Sequence, residues 1–308
     1  MSILVELPED QYSTAAFAEF SPRAGFNIGT ARAMAWMSQL AYETRLPEKV
    51  ERIGRRWGLE NIRPFKQPAR SALPISSAHG VLAMKNDALI IAFAGIDPLN
   101  LNLLNWITDF YMGRPSVDAH EGFQDAAAAV WSEVGTAIEL CIDSNRPLFV
   151  AGHSLGAAIA IVTADRAHSE KKLRQAEIYI FGSPRVGKSE FVNRYNSNFG
   201  LVTYRFVHGK DIIPTVPPPE LGFHHVGRLL RCERGKRFEP LRLLDHVDSD
   251  EPSPGDDLFT GIAERVRYLF GGLLSPTLRI DALGQLSQLL VPSIGDHLPD
   301  RYYNALMS

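Results

Sequence analysis

The chain has 308 residues, 45% of them hydrophobic and 22% charged, with a net charge of −3. This is ordinary globular usage, and it excludes wholesale disorder, a collagen-like repeat and the basic surface of a nucleic-acid binder. Cys141 and Cys232 are too few for a disulfide framework and have no zinc-ligand spacing, so a reduced compartment is favoured. The opening "MSILVELPEDQY" is acidic, lacks a basic n-region and has no apolar stretch of signal-peptide length. No window approaches the roughly 20 apolar residues of a membrane span. A soluble cytoplasmic protein is therefore expected, with leaderless secretion as the other route.

In chain order, residues 27–46 place Met34, Ala35, Leu40 and Tyr42 at helical spacing, which predicts an amphipathic helix that Pro47 ends. Residues 80–96 hold two apolar runs joined at "KND", a strand, a tight turn and a buried strand. A long helix is predicted over 120–144, followed by the short strand "RPLFVAG" and the helix "LGAAIAIVTADRAHSE". "AEIYIFGSP" is the next strand, "KSEFVNRYNSNF" the next helix and "LVTYRFV" another strand. Strands alternating with helices at this spacing predict an α/β fold with a mostly parallel central sheet and helices on both faces. After "VPPPELG" come a short strand in "FHHVGRLLRCE", a polar acidic segment over 245–257, and apolar helical pieces near 259–270 and 282–290. No repeat or low-complexity linker divides the chain, so one domain over 1–308 is expected.

The stretch "FVAGHSLGAAIAIV" carries the chemistry. "GHSLG" fits G-x-S-x-G, a weak pattern alone, but here an apolar strand precedes it and a helix follows it, as a nucleophile elbow requires. Gly152 and Gly156 would let strand and helix approach, with Ser154 held in a strained turn and its Oγ outward. The helix N-terminus would supply N–H groups and positive potential for a developing oxyanion.

A serine hydroxyl needs an imidazole to take its proton and a carboxylate to orient that imidazole, and on this architecture they follow in the order Ser, acid, His. Asp211 in "FVHGKDIIPTVP" follows a predicted strand, at the sheet's carboxyl end where catalytic groups collect. Asp245, Asp248 and Asp257 lie in the polar segment and read as surface. Among the histidines after Asp211, His225 and His297 are nearly level on the residues alone.

Taken together, "FAGID", "NWITDF", "AHEGF", "GHSLG", "FGSPRVG", "YRFVHGKDIIPTVPP", "FHHVG" and "DHLPDRYY" resemble, in this order, the class 3 lipases, the fungal-type triacylglycerol lipases of the α/β-hydrolase superfamily. The resemblance covers roughly 30–232 and 296–303. It implies an α/β-hydrolase fold with Ser154 as nucleophile, Asp211 as orienting acid and His297 as base, leaving His225 a structural role. The oxyanion hole would use the N–H groups of Leu155 and Ile96. Two positions depart from the family: Ile96 stands where Thr or Ser is usual, and Ala94 where Arg is usual. Loss of the side-chain donor would cost about a few kcal/mol of transition-state stabilisation if nothing replaces it.

"NWITDF" resembles the family's lid segment, which places a lid at about 97–114 after the oxyanion strand. Its apolar side chains, Leu101, Leu104, Trp106, Ile107 and Phe110 among them, would cover the site in water and turn to a lipid interface when open. The long span between acid and base implies an insertion at about 235–290, either a second flap or packing on the core. The expected function is that of a serine carboxylester hydrolase, foremost a triacylglycerol lipase acting on acylglycerols. Phospholipase A1 or a short-chain esterase is the alternative within the chemistry, and an inactive lipid-binding scaffold the alternative outside it. No cofactor and no metal is required; the partners are a lipid or ester substrate and a transient lipid interface, with no nucleic acid. The oligomeric state is not legible.

Overall fold

The structure is a computed structural model and describes residues 5–69, 77–96, 119–247 and 294–307. The expected lid at 97–114 with its five named apolar residues, the helical pieces near 259–270 and 282–290, and Asp248 and Asp257 lie outside the described residues.

Helix α1 (Ile28–Leu40) starts where the Asn27 side chain accepts the Thr30 N–H at 2.9 Å, satisfying one of the donors that a first turn leaves orphaned. It was expected to be amphipathic, yet every residue from Gly29 to Leu40 is buried. The reason is tertiary cover: the segment Val5–Phe20 and the last helix pack on the face that period alone would leave to water. Pro47 was expected to terminate this helix; a 3-10 turn at Ala41–Glu43 already does so. Pro47 instead opens α2 (Pro47–Arg56), at a first-turn position where its missing N–H costs nothing.

Strand β1 (Glu60–Pro68) pairs antiparallel with β2 (Ser77–Lys85), which pairs antiparallel with β3 (Ala88–Phe93). Asn86 and Asp87 between them have φ of 49° and 65°. Two left-handed central residues match the right-handed twist of a hairpin, and Asn and Asp tolerate that conformation best after glycine. The predicted "KND" turn is therefore present where expected.

From β3 onward the sheet is parallel. Helix α3 (Ala119–Asp143) leads to β4 (Leu148–His153), α4 (Leu155–Lys171) to β5 (Glu177–Phe181), and α5 (Ser189–Phe199) to β7 (Thr203–His208). Strand β9 (Arg228–Cys232) closes the order β1-β2-β3-β4-β5-β7-β9, while β6 (Gly187–Lys188) and β8 (Phe223–His224) form a separate small pair. Parallel crossovers are right-handed, so a sheet laid down in chain order sends α3, α4 and α5 to one face. The opposite face is left for α1 and for α6 (Pro299–Ala305).

Side-chain alternation along each strand divides the interior accordingly. Ile91, Val150, Ile178 and Ile180 pack with α3 to α5, whereas Ile90, Phe149, Tyr179, Phe181 and Phe206 pack with α1 and α6. On the second face Trp36 of α1 stacks on Tyr303 of α6 at 3.9 Å between centroids, and buried Arg32 donates from Nε to the Leu306 carbonyl at 2.9 Å. These contacts fix the segment that precedes α6 against the carboxyl ends of the strands.

Candidate active site

Ser154 joins β4 to α4 with φ 59° and ψ −130°, a conformation that costs a non-glycine residue about 1–3 kcal/mol. Packing imposes it. A Cβ on Gly152 would fall on the carbonyl of Gly156, and one on Gly156 on the carbonyl of Phe93, so strand and helix meet at backbone contact. The serine occupies the N-cap position of α4 but makes no capping hydrogen bond. Its Oγ is buried and has no hydrogen-bond partner among the described residues. The strained turn thus withholds the hydroxyl from the structural duty an N-cap serine ordinarily takes.

Leu155 is the first residue of α4, where a helix leaves its N–H without an internal acceptor. The other expected donor follows Gly95, which lies on the nucleophile: a Cβ there would stand 2.7 Å from Ser154 Cβ and 2.8 Å from the His153 carbonyl oxygen. Ile96 itself is partly buried and packs on the core with its aliphatic side chain.

Asp211 follows β7, and its carboxylate is fully buried. Its Oδ2 accepts from His297 Nδ1 at 2.8 Å, and its Oδ1 accepts the Ile213 N–H at 2.8 Å. A carboxylate accepting at Nδ1 fixes the tautomer with the lone pair on Nε2. His297 Nε2 is buried and has no partner among the described residues. Gly182 makes this approach possible, since at φ 56° a Cβ would stand 2.6 Å from Asp211 Oδ2 and 2.9 Å from His297 Nδ1. His225 is used elsewhere: its Nε2 pairs with the Pro214 carbonyl at 2.9 Å, and burial, then Arg205 and Arg185, hold its pKa well below the ordinary value. Of the two histidines, His297 is the one paired with Asp211, and Asp245 is fully exposed.

Four side chains around this centre escaped the reading of the sequence. Tyr302 donates from its hydroxyl to Asp211 Oδ2, and burial followed by the charge of Asp211 pushes its pKa well up, so it stays a donor. His153 donates from Nε2 to the His297 carbonyl at 2.7 Å and stacks on that ring at 4.6 Å. Its Nδ1 accepts from the Tyr42 hydroxyl at 2.7 Å. Burial, then the neighbouring His297, keeps the His153 ring neutral. Asp296, next to the candidate base, accepts from Arg234 Nε and Nη2 at 2.8 and 2.7 Å and from the Lys210 N–H at 2.8 Å. The only sequence signal for these was proximity, His153 inside "GHSLG" and Asp296 and Tyr302 inside "GDHLPDRYY".

The two cysteines are free and buried. Burial pushes the Cys141 thiol up to about 11 and the Cys232 thiol to about 12, which leaves neither as a nucleophile.

The class 3 lipase family model matches residues 94–221. The chain is similar to a secreted mono- and diacylglycerol lipase of Fusarium solani, 36% identical over 138 residues, 41% of this chain and 39% of the relative. It is also similar to a lipase of Rhizomucor miehei, 33% identical over 137 residues, 41% of this chain and 38% of the relative. These matches span about two fifths of the length of the curated relatives. In fold, the lipase of Rhizopus microsporus var. chinensis superposes with a TM-score of 0.55 at 18% identity, over 83% of this chain and 91% of that one.

One expectation is overturned here. The Fusarium solani relative is a secreted protein, which points to an extracellular rather than a cytoplasmic location. The cytoplasmic reading rested on twelve acidic and apolar residues and on scarce cysteines, and neither is an address. The strained serine and the family match agree, so the chain resembles the class 3 lipases over residues 94–221, and its fold is the α/β-hydrolase fold of the fungal lipases.

Proposed function

We propose that the protein is a serine carboxylester hydrolase of lipid esters, with acylglycerols, mono- and diacylglycerols included, as its substrate class. The observation that carries this is the 2.8 Å contact of His297 Nδ1 with Asp211, beside a buried serine whose hydroxyl has no structural partner among the described residues. Ser154 Oγ attacks the ester carbonyl while His297 Nε2 takes its proton. Asp211 holds the Nδ1 proton and balances the imidazolium. The oxyanion accepts from the N–H groups of Leu155 and Ile96, at the positive end of a 17-residue helix. His297 then gives its proton to the departing alcohol, and a water activated by the same nitrogen releases the fatty acid. The whole of 1–308 serves this as a single domain. The segment at about 97–114 acts as a lid that opens at a lipid surface.

The test is the hydrolysis of p-nitrophenyl esters from C2 to C16, by the wild type, Ser154→Ala and His297→Ala, below and above the solubility limit of each ester. Each substitution should lower kcat by at least about 10⁴-fold. A long-chain optimum with an extra rise above the solubility limit supports a lidded lipase. A short-chain optimum with smooth saturation makes the protein an esterase without a lid, and no turnover on any chain length refutes hydrolysis altogether.

A further inference from the structure

One rim of the molecule carries charge that ester hydrolysis does not use. Beside the acid and the base lies a cavity of about 530 Å³, lined by His208, Arg234, Lys236, Arg237, Asp296 and Arg301 among others. Its single carboxylate among the described residues, Asp296, is already engaged in a two-pronged pair with Arg234 and by the Lys210 N–H. Lys236 and Arg237 have no ion-pair partner among the described residues, and Arg301 reaches its neighbour Asp300 only at 3.9 Å. Three cationic residues therefore line one cavity with no free anion of the described chain among them. Like charges so placed repel unless an anion joins them.

Two further features mark the cavity as a receptacle rather than a chance gathering of surface side chains. His208 is 3% exposed, and its Nδ1 has no hydrogen-bond partner among the described residues, with Asp296 Oδ1 3.8 Å away. A buried, unsatisfied ring nitrogen is uncommon in a finished interior. The basic turn is also held in shape: the Lys236 N–H donates to the Glu233 carbonyl at 3.0 Å, and Gly235 takes φ 74°. Strands β7 and β9 run parallel to β4, so His208 and the Arg234–Arg237 turn leave the sheet at the same end as Ser154.

We propose that this cavity binds a phosphate group, free or as the headgroup of an anionic lipid, through Lys236, Arg237 and Arg301. A tetrahedral oxyanion offers enough acceptors for two guanidinium forks and an ammonium, more than a carboxylate can satisfy. A lipid held there would tether the serine-bearing end of the sheet to an anionic surface. The site is read by binding, so it stands or falls independently of hydrolysis.

Inorganic phosphate would be titrated into the full chain at low salt by calorimetry. Partition would then be measured onto vesicles of dialkyl ether phosphatidylcholine, with and without the ether form of phosphatidylglycerol, which no esterase cleaves. The comparison protein is Lys236→Ala/Arg237→Ala, whose altered residues are exposed and whose turnover of a soluble ester should equal the wild type. Phosphate should bind the wild type, and the double variant about tenfold more weakly, as for the loss of two partly screened charge contacts. Wild-type preference for the anionic vesicles, abolished by the variant and by added phosphate, would identify the headgroup as the source. Phosphate binding without a vesicle preference would identify the free ion. Absence of phosphate binding, or a vesicle preference that survives in the variant, would overturn the proposal.

Discussion

Asp211 Oδ2 serves two donors at once, the imidazole of His297 and the phenol of Tyr302. The second donor anchors the oxygen that the imidazole meets, so Tyr302 positions the candidate acid against the candidate base. In Tyr302→Phe that anchor is lost, and kcat on a soluble ester should fall by roughly tenfold while KM holds. Steady-state kinetics on a soluble ester read the split, and an unchanged kcat would reduce Tyr302 to packing. None of this was visible in the string of residues, because a tyrosine five places beyond a histidine looks the same whether its hydroxyl meets water or a carboxylate 91 positions earlier.

At the scale of elements, what the sequence shows well is what neighbours decide. Asn86 and Asp87 make their turn from their own conformational tolerance, and Gly152 and Gly156 mark a strand and helix in contact. Pro47 shows the limit, since a proline that cannot continue one helix is equally suited to begin another. Asp296 shows a further one. Its carboxylate joins the loop of His297 to the Gly209–Asp211 loop and to the turn after β9, three segments that meet only in the folded chain. Gly209, at φ 54°, gives it room, since a Cβ there would stand 2.5 Å from Oδ2. Asp296→Asn should keep the Lys210 contact but lose the charge pair, lowering stability by about 1–2 kcal/mol, a value discounted because Arg234 is 57% exposed. Because the clamp positions and does not react, kcat should fall while KM holds, and Arg234→Ala should reproduce the split. A rise in KM alone would mean that Asp296 shapes the substrate pocket instead.

Over the whole molecule, His153 and His225, which are buried, and the half-buried His79 are held neutral. Burial first, then Lys66, pushes His79 down to about 4, while His153 and His225 are held well below the ordinary value. The unfolded chain takes up these protons near pH 6.5 and the folded one does not. Their contribution to stability is thus complete above that pH and is lost as pH falls below it, by up to about 1.4 kcal/mol per unit for each ring. Guanidinium midpoints at pH 7.5 and 5.5 should differ in that direction, and equal midpoints would show the rings to be protonated in place.

The order in which the three candidate catalytic groups occur has a consequence for biosynthesis. The base comes last, 86 residues after the acid, and it is seated only when the helix behind it docks through Tyr303 on Trp36 and Leu306 on Arg32. A growing polypeptide can therefore complete the serine turn, the core beneath α3 to α5 and the candidate acid before the candidate base is in place. Chains stalled before residue 294 should accordingly leave Ser154 unlabelled by a fluorophosphonate that marks the finished protein. Labelling of the stalled chain would show the hydroxyl to be reactive without its base. On the proposed function, translation itself then acts as the safety catch, since the hydrolase is armed only once residues 294–307 have emerged.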